Sequence, residues 1–214
     1  MRVKSRAMAI ASISAAALLA TACGGSSDDD GGSGGGPGGE IVSGGCNPEN
    51  PLVAGNTAET CGGDVLDVLT AKLVHYNPET AEPENDIAES IETEDNQTFT
   101  VKIKPGYKFH DGTEVKAKNF VDAWNYTAYG PNGQGGSYFF GPIEGFADTQ
   151  CTGEGDDPCA GKGEPKAKEL TGLKVVDDKT FTIKTTEKVS NLPVRLGYTA
   201  FAPQPDAFFA DTSE

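Results

Sequence analysis

The sequence predicts a mixed α/β domain, and three patterns carry that expectation. Apolar residues recur at helical spacing in two stretches, residues 64–73 and 117–128. Apolar and polar residues alternate with a period of two in residues 99–104 and again in 181–184, as in strands with one buried face. Gly- and Pro-rich breaks separate these segments, so helices and strand pairs interleave along the chain.

Residues 1–22 lie outside this pattern. Arg2, Lys4 and Arg6 form a basic head, an apolar run follows to Leu19, and Ala20, Thr21 and Ala22 are small. That is the layout of a secretory signal whose apolar core is too short to span a bilayer comfortably; a single anchor helix is the alternative. Leu19-Ala20-Thr21-Ala22-Cys23 resembles a bacterial lipobox, in which the cysteine takes a lipid and becomes the mature N-terminus. Ala20 stands where that motif usually has Leu. Residues 24–40 hold no apolar side chain able to offset the entropy of ordering, and predict a flexible tether with a reach of roughly 20–25 Å. Within it, Asp28, Asp29 and Asp30 lack the alternating ligand spacing of a calcium loop and are assigned to the solvated tether. The expected organisation is therefore a signal over 1–22, lipidated Cys23 and linker to residue 40, and a folded domain over 41–214.

The formal charge of −15 deepens to −18 once Arg2, Lys4 and Arg6 leave with the signal. So acidic a surface argues against nucleic acid or anionic lipid as a partner. Besides Cys23, four cysteines form two local pairs, Cys46 with Cys61 and Cys151 with Cys159. In an exported chain such an even count predicts disulfides. Zinc ligation through His75 or His110 is disfavoured: there is no CxxC pair, and neither histidine has a partner four residues away. No metal and no cofactor is expected.

In chain order, residues 40–43 begin an extended segment, and a loop rich in Asn, Pro and Gly joins Cys46 to Cys61. Val65, Leu66, Val68, Leu69 and Leu73 then mark a helix over 64–73. Phe99, Val101 and Ile103 mark a strand that ends at Pro105-Gly106. Ala117, Phe120, Val121, Trp124 and Ala128 form one helical stripe, with Asp122 and Asn125 facing away and Gly130-Pro131 stopping the helix. A Gly-rich loop leads to Ser137-Tyr138-Phe139-Phe140, and the Cys151–Cys159 loop follows. Leu173 and Val175 then face Phe181 and Ile183 across a hairpin turning at Asp177-Asp178. Residues 94–102 and 177–184 echo each other, as two hairpins obeying the same alternation would. The last residues, 201–214, are apolar and Pro-rich and stop just after an element that ought to be packed, so the chain is expected to be truncated.

Three pieces between Leu73 and Tyr126 carry a family resemblance. They are Leu73-Val74-His75-Tyr76 with Asn77-Pro78-Glu79; Ile87-Ala88-Glu89-Ser90 with a hairpin running to Pro105-Gly106; and the stretch from Phe109-His110-Asp111-Gly112-Thr113 to Phe120-Val121-Asp122-Ala123-Trp124. Together they resemble the peptide/nickel class of ABC-transporter solute-binding proteins, the dipeptide- and oligopeptide-binding group. Lys116 and Asn119 stand where that family usually has Thr and Asp. The two cysteine pairs resemble those of actinobacterial members. The third piece also has a physical reading: Asp111-Gly112 suits a tight turn, and Phe109, Ala117, Phe120 and Trp124 suit the core. His110 is accordingly assigned to the scaffold rather than to ligand binding.

The resemblance implies a periplasmic-binding-protein-like two-lobed clamp that closes on its ligand, with this chain supplying much of the first lobe only. It implies capture of a small solute, most often a peptide held through its main chain, and delivery to permease subunits in the membrane. Nickel complexes, haem and sugars occur among relatives as ligands. The protein is expected to be a monomer that is not an enzyme, lipid-anchored on the outer face of the cytoplasmic membrane. Asn56, Thr57, Ala58, Glu59 and Thr60 match the family position of a loop that reaches the ligand, and Ser137 and Tyr138 fall near a second lining segment. Residues that hold peptide termini would lie beyond position 214.

Two other functions stay open on sequence alone. A secreted hydrolase would need a nucleophile and base, but Ser137 sits in GGSYF rather than a G-x-S-x-G elbow, and neither histidine lies in a catalytic motif. An envelope structural module would be expected to show repeats or further stalk, and the sequence shows neither.

Overall fold

The two segments that echo each other in sequence become neighbours in space. The computed structural model describes residues 45–154, 158–210 and 212. The expected signal, Cys23, the linker and the extended segment 40–43 lie outside the described residues. Among the described residues six strands form: β1 (Val74–Tyr76), β2 (Pro83–Asn85), β3 (Ala88–Glu92), β4 (Thr98–Ile103), β5 (Leu173–Asp177) and β6 (Thr180–Lys184). β1 and β2 make a two-stranded ribbon, and the other four form an antiparallel sheet of order β3-β4-β6-β5. The echoing strands β4 and β6 sit side by side at its centre, Phe99 opposite Ile183 and Val101 opposite Phe181. All four side chains are buried, so the echo reflects two central strands meeting the same one-sided core.

Three helices accompany the strands: α1 (Thr60–Leu69), α2 (Ala117–Ala128) and the single-turn α3 (Leu192–Arg195). α2 packs against β5 and β6 and carries the aromatic centre of the core. Trp124, fully buried, meets the rings of Phe181 and Phe201 edge-on at 5.5 and 5.3 Å, while Phe120 stacks on Phe181 at 5.7 Å. Its indole N–H donates to the Phe201 carbonyl at 3.1 Å, which satisfies the one polar atom such a site must accommodate. Before the helix, Asp111 accepts hydrogen bonds from the Thr113 N–H and hydroxyl at 2.8 and 2.6 Å, and Gly112 takes a φ of +86° that favours glycine. Asn119 keeps the usual capping contact, since its Oδ1 accepts the Lys116 N–H at 2.9 Å.

Several expectations need correction. The first helix is Thr60–Leu69, not 64–73. Glu59 starts it by accepting the Gly62 N–H, and Thr70 ends it in an extended conformation. Leu73 therefore lies beyond the helix and is buried just before β1, while Leu66 is the buried apolar anchor and Val68 is 86% exposed. Leu73 leads into β1, a strand of Val74, His75 and Tyr76 that periodicity does not mark, because three residues are too few to show alternation. On α2, Asn125 does not face open solvent: its Oδ1 accepts the Leu170 N–H at 2.8 Å, because the later chain wraps that side of the helix. Phe109 is only partly buried, at the margin of the core. Val175 is exposed although it alternates with Leu173, since β5 is an edge strand whose register shifts between Val175 and Asp177. Both cysteine pairs are joined as expected, with Cα–Cα separations of 5.3 Å for Cys46–Cys61 and 4.7 Å for Cys151–Cys159.

Candidate functional site

Two loops far apart in sequence are brought into backbone contact. The segment entering α1 lies against the Gly-rich loop that follows α2: the Gly136 N–H donates to the Gly55 carbonyl at 2.9 Å, and the Gly135 N–H to Asn56 Oδ1 at 3.1 Å. This approach requires glycine. A Cβ at Gly136 would lie 2.7 Å from Gly55 O, and one at Gly135 would lie 2.7 Å from Asn56 O.

Within the first loop the side chains divide into two sets. Thr57 is buried and donates its hydroxyl to the Pro51 carbonyl at 2.7 Å. Glu59 is held by the Gly62 N–H, 2.9 Å from each carboxylate oxygen, and by the Glu49 N–H. These two shape the loop. Ala58 and Thr60 are exposed and Asn56 is half-buried, so these three present surface. Beneath Asn56 lies a cleft of about 360 Å³ lined by Pro51, Val53, Tyr126, Gln134 and Phe208.

In the second loop, Ser137 is half-buried with its hydroxyl 3.4 Å from the Ala128 carbonyl, and Tyr138 is 62% exposed. Tyr138 does not enter the core beside Phe140. It stacks on Phe139 at 4.4 Å, and Phe139 lies 5.2 Å from Tyr198, itself half exposed. Gly197, just before Tyr198, lies against Tyr76, where a Cβ would come within 2.8 Å of the ring; the Tyr76 hydroxyl donates to Val194 O at 2.7 Å. Burial pushes the Tyr76 phenol above its ordinary pKa, and nearby Tyr198 and Asp67 act in the same direction. Phe139, Tyr198 and Tyr76 are not site candidates on sequence alone, and no local signal marks their neighbourhood, which comes from contacts across more than fifty residues.

The histidines stand apart from this region. His75 lies 3.3 Å from Glu84 across the β1–β2 ribbon, and His110 is exposed on the turn before α2, where it helps line a separate cavity of about 570 Å³ with Leu69, Tyr107 and Phe109. Among the described residues, no group of three or more His, Cys, Asp or Glu side chains could hold a metal ion.

The geometry is that of a scaffold presenting loops, and the fold has relatives among known proteins. No curated protein matches the chain. Solved structures do match. The Escherichia coli murein tripeptide binding protein MppA aligns with a TM-score of 0.64 at 22% identity, over 73% of this chain and 29% of that one. The substrate-binding domain of an oligopeptide ABC transporter from Bacillus anthracis aligns at 0.64 and 23%, over 75% and 29%. Listeria monocytogenes OppA bound to peptide aligns at 0.62 and 22%, over 74% and 29%. At such identities the likeness is one of fold, and this chain spans under a third of each of these proteins. The family model described as "Bacterial extracellular solute-binding proteins, family 5 Middle" matches residues 82–214. Because that match covers more than half of the sequence and includes α2 with the turn that seats it, the chain belongs to the family 5 bacterial extracellular solute-binding proteins.

Proposed function

We propose that this chain is the N-terminal part of a lipid-anchored, peptide-capturing component of an ABC importer. The family match over residues 82–214 carries the reading. The names of the MppA and peptide-bound OppA structures point to peptides as the ligand class. Asn56, Ala58, Thr60, Ser137 and Tyr138 supply one wall of the ligand site, while Thr57 and Glu59 hold that wall in shape. The second wall comes from sequence beyond this chain, and closure of the two lobes follows from contacts made only in the closed state. Captured ligand passes to permease subunits. Cys23 carries the lipid, and residues 24–40 let the domain move above the outer face of the cytoplasmic membrane.

The test uses the product of the complete reading frame. Titration calorimetry with peptides of two to five residues is expected to show saturable binding. Absence of binding to every peptide, with saturable binding of a nickel chelate, haem or a sugar, would overturn the ligand class. In cells, Cys23→Ala is expected to move the protein from the membrane fraction to the soluble one; retention at the membrane would overturn the lipid anchor.

A further inference from the structure

Tyr138, Phe139 and Tyr198 form a row of rings at the edge of the core, and Tyr76 lies against Gly197, next to Tyr198 in sequence. Phe139 is the inner member, 6.2 Å from Phe201; Tyr138 and Tyr198 flank it with exposures of 62% and 50%, and Tyr76 is 36% exposed. The rings turn gradually along the row: the plane of Tyr138 makes 27° with Phe139, and Phe139 makes 38° with Tyr198. Tyr138 thus stacks on Phe139 while Tyr198 is tilted against it, and both tyrosines remain exposed. The row is also held in place. Tyr76 is tied to Val194 O and lies against Gly197, Phe139 sits within the 3₁₀ turn Ser137–Phe140, and Tyr198 directly precedes the 3₁₀ turn Thr199–Phe201. Fixed tyrosines offer a large apolar face at little entropic cost and keep their hydroxyls in water, the character of a recognition surface rather than of an unfinished core.

The row is continuous with the paired loops. Gly136, bonded to Gly55, directly precedes Ser137, and the Ala200 side chain reaches the same glycine. The row therefore extends the proposed ligand wall, which already includes Ser137 and Tyr138. Resting on the peptide-capture reading, we propose that the row is a side-chain subsite that selects peptides carrying an aromatic residue. The exposed ring of Tyr198, backed by Phe139, packs against the ligand ring.

The test is competitive capture by the product of the complete reading frame, with Tyr198→Ala and Tyr198→Phe as variants. The probe is an equimolar mixture of Ala-based peptides of two to five residues, each with one Phe, Tyr, Leu, Ser or Glu, and retained peptides are identified by mass spectrometry. The wild type is expected to enrich Phe and Tyr peptides over Ser and Glu peptides. Tyr198→Ala should lower that enrichment by about 3- to 10-fold, the scale of one ring–ring contact, with total capture of Ser and Leu peptides unchanged; Tyr198→Phe should retain it. An enrichment identical in wild type and Tyr198→Ala would overturn the proposal. So would a variant that captures less of every peptide with a lowered melting temperature, which would make the row an internal packing surface. Capture of no peptide by the wild type would instead sink the peptide-capture reading itself.

Discussion

Trp124 shows how one side chain can organise this fold. It touches Phe120, Phe140, Phe181 and Phe201, and so joins α2, the turn at residues 137–140, the central strand β6 and the C-terminal segment. Trp124→Ala is expected to cost about 3–5 kcal/mol, read as a shift in the urea midpoint, since the cavity could collapse only by moving four elements at once. Trp124→Phe should cost less but leave the Phe201 carbonyl without its donor. The turn before α2 has a different sensitivity. The Thr113 hydroxyl, then the Thr113 N–H, holds the Asp111 carboxyl below its ordinary pKa. A depressed folded-state value means that the stabilisation is present above the unfolded pKa of about 3.9 and is lost as pH falls through the lower folded value. Melting curves of wild type and Asp111→Ala should therefore differ at pH 7 and draw together as acidification protonates the folded-state carboxylate, below the ordinary Asp range. A gap unchanged at low pH would mean that the turn does not depend on the carboxylate charge.

At the scale of elements, the paired loops are set by glycines rather than by side-chain contacts. Gly136→Ala would place a Cβ 2.7 Å from Gly55 O. Either the 55–56 and 135–136 loops separate or α1 tilts, at an expected cost of about 1–3 kcal/mol. In the complete protein the same change should weaken peptide binding more than it lowers the melting temperature, because the loops belong to the proposed ligand wall. A melting shift with unchanged affinity would place these loops outside the site. Elements were also where reading the sequence succeeded and failed in instructive ways. α2 and β4 were legible because each has enough residues to display a full period of burial, and their ends carry Pro or Gly. α1 was misplaced because Val65, Leu66, Val68, Leu69 and Leu73 mimic a stripe. In the fold, Leu66 is the buried one of the helix, and Leu73 belongs to the approach to β1. Val175 misled in the same way: alternation marks a strand, but whether its inner face is covered depends on its place at the sheet edge.

For the molecule as a whole, the two disulfides staple segments that have little core of their own. Cys46–Cys61 closes a loop of about 15 residues onto the start of α1, and Cys151–Cys159 closes a shorter one beside the end of α2. Chain-entropy estimates put each at about 2–3 kcal/mol, so reduction should lower the melting temperature by several degrees. Free thiols in the non-reduced protein, detected by mass spectrometry, would remove the pairing. The strongly acidic balance acts at this scale too, favouring solubility and disfavouring polyanionic partners.

What the sequence determined by itself was whatever depends on neighbours within a few residues: the helix and strand periods of α2, β4 and β6, the Asp111-Gly112 turn, the local cysteine pairs and the motif that marks the family. Part of the candidate site belonged to that set, as Asn56–Thr60 and Ser137–Tyr138 could be named from the motif's surroundings. Tertiary structure alone decided that these two loops are hydrogen-bonded to each other, that Thr57 and Glu59 are held by the loop's own backbone, and that Tyr198 joins Tyr138 across Phe139 while Tyr76 lies against Gly197. The physical reason is the range of the forces involved. Periodicity records which face of a short segment meets apolar surface, whereas the meeting of residues 56 and 135, or 76 and 197, follows from how the sheet and α2 pack, and no local pattern encodes it.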